Sequence, residues 1–154
     1  IKKNGFTNVK IETSNKSKCK LKRYKYKNNL RRGMKNMKYQ AKVTEIGGMV
    51  QELAEDGNLL IIFNEDVQDP DLKDISIAHT VTELKEDIVA GDVLTIGDKK
   101  FNVTAVGNVA LKTLKDLGHC TIKFDGDTKA NLPGELHVDG LVPEVKVGDV
   151  ITFE

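Results

Sequence analysis

No run of about 18 apolar residues occurs anywhere in this chain of 154, so no helical membrane span is predicted. The start is basic but lacks the apolar stretch of a secretory signal, and none is expected there. Cysteine is nearly missing: Cys19 and Cys120 stand far apart, with no CxxC and no spacing that would hold a metal. A reduced, cytoplasmic protein without metal or cofactor is the expectation. There is no GxxxxGKS or GxxxxGKT loop, so nucleotide binding through a P-loop is unsupported. There is also no GxSxG elbow and no HExxH pair. Asp125-Gly126-Asp127 has the opening of a calcium loop without its remaining ligand spacing, and reads as a turn. Histidine is scarce too, with His79, His119 and His137 the full set.

Charge divides the chain where composition does. Residues 1–36 carry 13 Lys or Arg against one acid, Glu12, a net +12; residues 37–154 carry 11 bases against 22 acids, a net −11. The first part has no hydrophobic period over a helix length and cannot bury enough surface to offset chain entropy, so disorder is expected. Its Lys, Asn, Ile and Tyr suit A- and T-rich codons, and Met34 and Met37 follow Arg31-Arg32-Gly33. The natural start is therefore expected at Met37 or Met34, with the domain proper over 37–154. The competing reading makes 1–36 a basic arm for nucleic acid or anionic lipid, because KSKCKLKRYKYK interleaves tyrosines with Lys and Arg.

From Met37 onward the pattern is mostly strand. YQAKVTEIG (39–47) alternates into a glycine pair, NLLIIF (58–63) is a continuous apolar run, and DISIAH (74–79) is a third strand. VLTIGDKKFNVTAV (93–106) reads as a hairpin about Gly97-Asp98. HCTIKF (119–124), GELHV (134–138) and DVITFE (149–154) are strand-like. One helix is clear over about 108–117, with Asn108 as its cap, Leu111, Leu114 and Leu117 at helical spacing and Gly118 closing it. MVQELAED (49–56) reads as a second, short one. AGDVLTIG (90–97) echoes VGDVITFE (147–154), each a Gly-Asp turn feeding a strand. The fold class expected is mainly β, a compact antiparallel-rich barrel with one clear helix.

His79 ends an apolar strand and is followed by Thr80, Thr82 and Glu83, hydroxyls and a carboxylate able to orient an imidazole and donate to an anion. His119 follows a helix end, where an imidazolium meets the C-terminal dipole. His137 alternates with Leu136 and Val138 and shares its face with Glu135. Taken in order, HTVTELK (79–85), VTAVGNVALKTLKDLGH (103–119), IKFDG (122–126), PGELHVDG (133–140), Val142-Pro143 and the terminal Phe153-Glu154 resemble one family. It is the glucitol/sorbitol-specific IIA component of the bacterial phosphoenolpyruvate-dependent sugar phosphotransferase system, and the likeness runs from about Tyr39 to Glu154. The resemblance implies that His79 is the phosphoryl acceptor, in the position His-x-x-x-Glu-Leu-Lys. Family members often carry a second histidine two residues later, where this chain has Val81; His119 and His137 are candidates to supply what it would.

The resemblance further implies the phosphohistidine of HPr as donor and a cysteine of the IIB component, with IIC in the membrane, as acceptor. No direct sugar binding and no nucleic-acid partner are expected on this reading. Glu83 is a candidate to orient the ring, and Thr80, Thr82 and the N–H groups of 79–82 are candidates to meet phosphoryl oxygens. A histidine reachable by two proteins in turn should stand open at the strand end. The alternative from another class is a small nucleic-acid-binding or interaction barrel using the basic arm; the acidic domain argues against it.

Overall fold

The computed structural model describes residues 37–154; the basic segment 1–36, with the disorder and arm expected of it, lies outside the described residues. Alternation becomes strand where the sequence predicts it: β1 Tyr39–Ile46, β2 Leu59–Asn64, β3 Ile77–His79, β4 Val93–Ile96, β5 Lys99–Val106, β6 Cys120–Phe124, β7 Glu135–Asp139 and β8 Val150–Phe153. Three helices intervene, α1 Val50–Gly57, α2 Pro70–Ile75 and α3 Ala110–Leu117. The strands close into a barrel in the order β1-β3-β2-β6-β7-β5-β4-β8. Six of its eight ladders are antiparallel, and β2–β3 and β6–β7 are parallel. The expected fold class is the one observed. Among the described residues no helix is long and apolar enough to cross a membrane.

Closure follows from the period of two. Inward positions such as Leu60, Ile62, Ile77, Ile122, Leu136 and Phe153 are at most 2 % exposed, and closing the sheet leaves no bare edge. The two echoing segments are neighbours: β4 pairs β8 antiparallel, with Leu94 opposite Phe153 and Ile96 opposite Ile151. Gly91 and Gly148, which precede them, have φ of 102° and 99°, a region that L side chains rarely enter.

Two local readings need correction. Asp74 and Ile75 belong to α2, so β3 keeps only three residues. Asp69 caps that helix by accepting from the Asp71 N–H at 2.9 Å, and Pro70 occupies the first turn, a start signal present in the sequence. For α3 the cap residue is Val109 rather than Asn108, with no side-chain cap. The helix start is held instead by main chain from the start of β7 and the loop before it: Gly107 N–H donates to Glu135 O at 2.8 Å and Val109 N–H to Pro133 O at 2.9 Å. That long-range support makes a local cap dispensable. Gly118 does close α3, with φ 62° and its N–H on Leu114 O.

Candidate functional site

Three strands and a helix end meet at His79. The parallel β2–β3 register sets Ile62 beside Ile77 and Asn64 beside His79, so both polar residues continue the inward apolar rows. The β2–β6 register, with Ile62 opposite Cys120, carries on by two residues to put Asn64 opposite Gly118. His79 therefore reaches across Asn64 to the end of α3. Its Nε2 lies 2.8 Å from Gly118 O and its Nδ1 lies 2.8 Å from Thr80 O. Tyr39 stands edge-on to the ring, centroids 5.9 Å apart.

His79 is 0 % exposed, where an open position was expected. The reason is its phase: two residues after inward Ile77, it points into the barrel, and Gly118 roofs it. Both neighbours of the ring are carbonyl oxygens, which only accept. A neutral imidazole has one N–H, so it satisfies one carbonyl and turns a lone pair toward the other. The two carbonyls are held in different ways. Thr80 is held to β1 by its N–H on Lys42 O at 2.9 Å and by its hydroxyl accepting from the Lys42 N–H at 3.0 Å. Gly118 is the left-handed cap of α3, with its N–H on Leu114 O and the next residue, His119, bonded through its N–H to Thr113 O and through its carbonyl to the Thr113 hydroxyl.

The neighbouring candidates spread outward. Glu83 is exposed and Thr82 partly so, and with Thr80 they line a shallow cleft of about 360 Å³ beside Lys42. The group that orients the His79 ring is the Thr80 carbonyl rather than Glu83. His119 follows Gly118, but its ring stacks on Phe63 at 4.1 Å with Nδ1 3.2 Å from Ile62 O. Burial lowers the pKa of His119, with its bond to the Ile62 carbonyl opposing this. Phe63 and His119 are out of phase with inward Ile62 and Cys120, so this stack sits on the outer face.

His137 is not brought to His79. β7 lies three strands from β3, about 14 Å around the barrel, and the ring faces outward under cover of carboxylates. Nδ1 lies 2.7 Å from Asp125 Oδ1 and Nε2 3.2 Å from Glu135 Oε1, which places Glu135 on the His137 face as alternation predicts. Burial pushes the Asp125 carboxyl up, but hydrogen bonds from His137 and the Asp127 N–H, with the charges of His137 and Lys123, outweigh it and lower its pKa. A depressed carboxylate stabilises the fold above its ordinary range and loses that contribution as pH falls through the lower, folded value. Asp125→Asn should thus cost about 1 kcal/mol at neutral pH, the worth of a charge-assisted bond discounted for solvent exposure. It should also show a shallower loss of Tm below about pH 4 than the parent, as thermal melts across pH would measure.

The model of the family described as "PTS system glucitol/sorbitol-specific IIA component" matches residues 38–152. This chain belongs to that family. Relatives in Shigella flexneri and Escherichia coli (strain K12), each named a PTS system glucitol/sorbitol-specific EIIA component, are 38% identical to it over 117 residues, 75% of this chain and 94% of theirs. A crystal structure of a PTS system IIA component from Enterococcus faecalis V583 is similar at a TM-score of 0.63 and 26% identity, covering 73% of this chain and 97% of that one. This IIA component therefore builds its barrel over the matched region, with His79 on an inward row at one barrel end.

Sequence reasoning passed over Asn64 and Gly118 as parts of the site. The signal was available: Asn64 is in phase with Leu60 and Ile62, the only polar residue on that inward row of β2.

Proposed function

We propose that this chain is a cytoplasmic phosphocarrier that takes a phosphoryl group from phospho-HPr onto His79 and passes it to the cysteine of its IIB component. With IIC, that step would drive uptake and phosphorylation of glucitol/sorbitol. The observation that carries this reading is the ring of His79, in the family's motif position, held between the carbonyls of Thr80 and Gly118. Keeping Nδ1–H on Thr80 O fixes the tautomer and leaves the Nε2 lone pair for attack once Gly118 O swings away. Nε2 forms a bond to phosphorus as the bond from phosphorus to the carrier's imidazole breaks, its electron pair returning to that ring. In the second step a cysteine thiolate attacks phosphorus and the His79 N–P bond breaks, restoring the lone pair.

The surroundings suit docking by proteins better than binding of a sugar. Val81 and Leu117, 58 % and 51 % exposed, belong to the two segments that cover the ring, and offer apolar contacts to an arriving partner. Opening at Gly118 must precede transfer, so docking and exposure of Nε2 are coupled. The net charge of −11 over 37–154 would speed encounter with a basic-faced carrier, in a salt-dependent way. Incubation with phosphoenolpyruvate, the first enzyme of the relay and HPr, followed by intact mass, should show one added, acid-labile phosphoryl group. An unchanged mass under conditions that phosphorylate HPr would overturn the reading.

A further inference from the structure

Asn64 has no part in the transfer as described so far, yet its carboxamide oxygen is buried and has no hydrogen-bond partner among the described residues. Such an orphan costs about 1–3 kcal/mol. It lies between His79 and Gly118 in the row that runs across β3 and β2 to the end of α3, just before β6. A Cβ placed on Gly118 would collide with the Asn64 carboxamide and come within 2.8 Å of His79 Cε1, the carbon between the two ring nitrogens. The Asn64 carboxamide thus fills the place that a side chain on Gly118 would take, beside the edge of the His79 ring.

The group facing Nε2 is an acceptor, Gly118 O, and the Asn64 oxygen adds a second acceptor to the same corner. Nearby main-chain donors are engaged: Gly118 N–H on Leu114 O, His119 N–H on Thr113 O, Thr80 N–H on Lys42 O and Glu65 N–H on His79 O. A phosphoryl group on Nε2 would bring three acceptor oxygens and most of two negative charges into this corner, where a donor is wanted. A half-turn of a carboxamide exchanges its oxygen and its NH2 within the same shape.

We propose that Asn64 is a catalytic residue of the transfer, its carboxamide turning to donate from Nδ2 to a phosphoryl oxygen carried on His79 Nε2. The inference rests on the phosphocarrier reading. Asn64 makes and breaks no covalent bond; it meets charge on the oxygens while the N–P bonds exchange as described above. The contact exists only once the Gly118 carbonyl has moved off, and in the resting state the same residue is a small liability to the fold.

The test combines rapid-quench phosphorylation by phospho-HPr with NMR of the wild-type side-chain amides, using the full chain. Asn64→Ala should slow the maximal rate about 100-fold with the half-saturating HPr concentration unchanged, while melting no lower than wild type. Asn64→Asp should be slower still, since a carboxylate repels the incoming group. The Asn64 NH2 signals of the wild type should move on phosphorylation while those of exposed Asn108 stay. Rates within threefold of wild type in Asn64→Ala, with unmoved Asn64 signals, would overturn the inference and leave the phosphocarrier reading intact. Absence of phosphorylation in the wild type itself would instead remove the reading beneath it. Should Asn64→Ala fail to fold, the wild-type NH2 signals decide alone, movement supporting the contact and constancy refuting it.

Discussion

His79→Ala should take up no phosphoryl group from phospho-HPr, whereas His119→Ala and His137→Ala should each retain one, as intact mass would read. The difference follows from position. His79 stands on the inward row with Nδ1 and Nε2 each 2.8 Å from a carbonyl, whereas His119 is stacked outside on Phe63 and His137 is clamped between Asp125 and Glu135. Removing the His79 ring also leaves a cavity and the Thr80 carbonyl without its donor, which together should cost about 2–4 kcal/mol. His79→Gln separates the two effects. Its amide donates to a carbonyl and fills most of the space, so melting should recover by more than half while uptake stays at zero. Uptake by either variant at the wild-type level would place the acceptor elsewhere.

Gly118→Ala should be the most damaging single-methyl change at this end of the barrel. Its φ of 62° costs an L residue about 1 kcal/mol, and the new Cβ would meet the Asn64 carboxamide and His79 Cε1. Together these should lower stability by about 2–4 kcal/mol and slow phosphorylation at least tenfold, because the ring and carboxamide are both displaced. Adding Asn64→Ala removes one of the two collisions, so the double variant should recover part of the stability, a coupling that a mutant cycle measures. Gly134, where an added Cβ has nothing within 4 Å, provides the comparison: Gly134→Ala should change melting little. Equal effects of the two substitutions would mean that the space at Gly118 is not needed.

Much of this arrangement was legible in the residues because it depends on local periods. Strand alternation, the Gly97 turn and the Leu111, Leu114 and Gly118 pattern each describe a few neighbouring residues, and each element formed where its pattern lies. The inward direction of His79 was equally readable from its spacing to Ile77, but the motif after it suggested an open site. What covers the ring was not readable. The Gly118 carbonyl comes from 39 residues away, and it meets His79 only through two ladders, β3 on β2 and β2 on β6. Those registers are set by the closing of the whole barrel. The same holds for α3, whose start is secured by carbonyls of Pro133 and Glu135, so that Asn108 as a cap looked necessary from sequence and is not. Helix α2 was a different kind of miss: Asp69-Pro70 is a local start signal, overshadowed by the alternation of ISIAH that follows it.

The central claim is that the His79 ring keeps its Nδ1–H on Thr80 while Nε2 leaves Gly118 to carry phosphate. Nitrogen NMR of histidine-labelled protein, before and after phosphorylation by phospho-HPr, tests it most directly. The account predicts one histidine with phosphorus coupled to Nε2, its Nδ1 remaining protonated, and assigned to position 79 by its loss in His79→Gln. Phosphorus coupled to Nδ1, or found on His119 or His137, would contradict it.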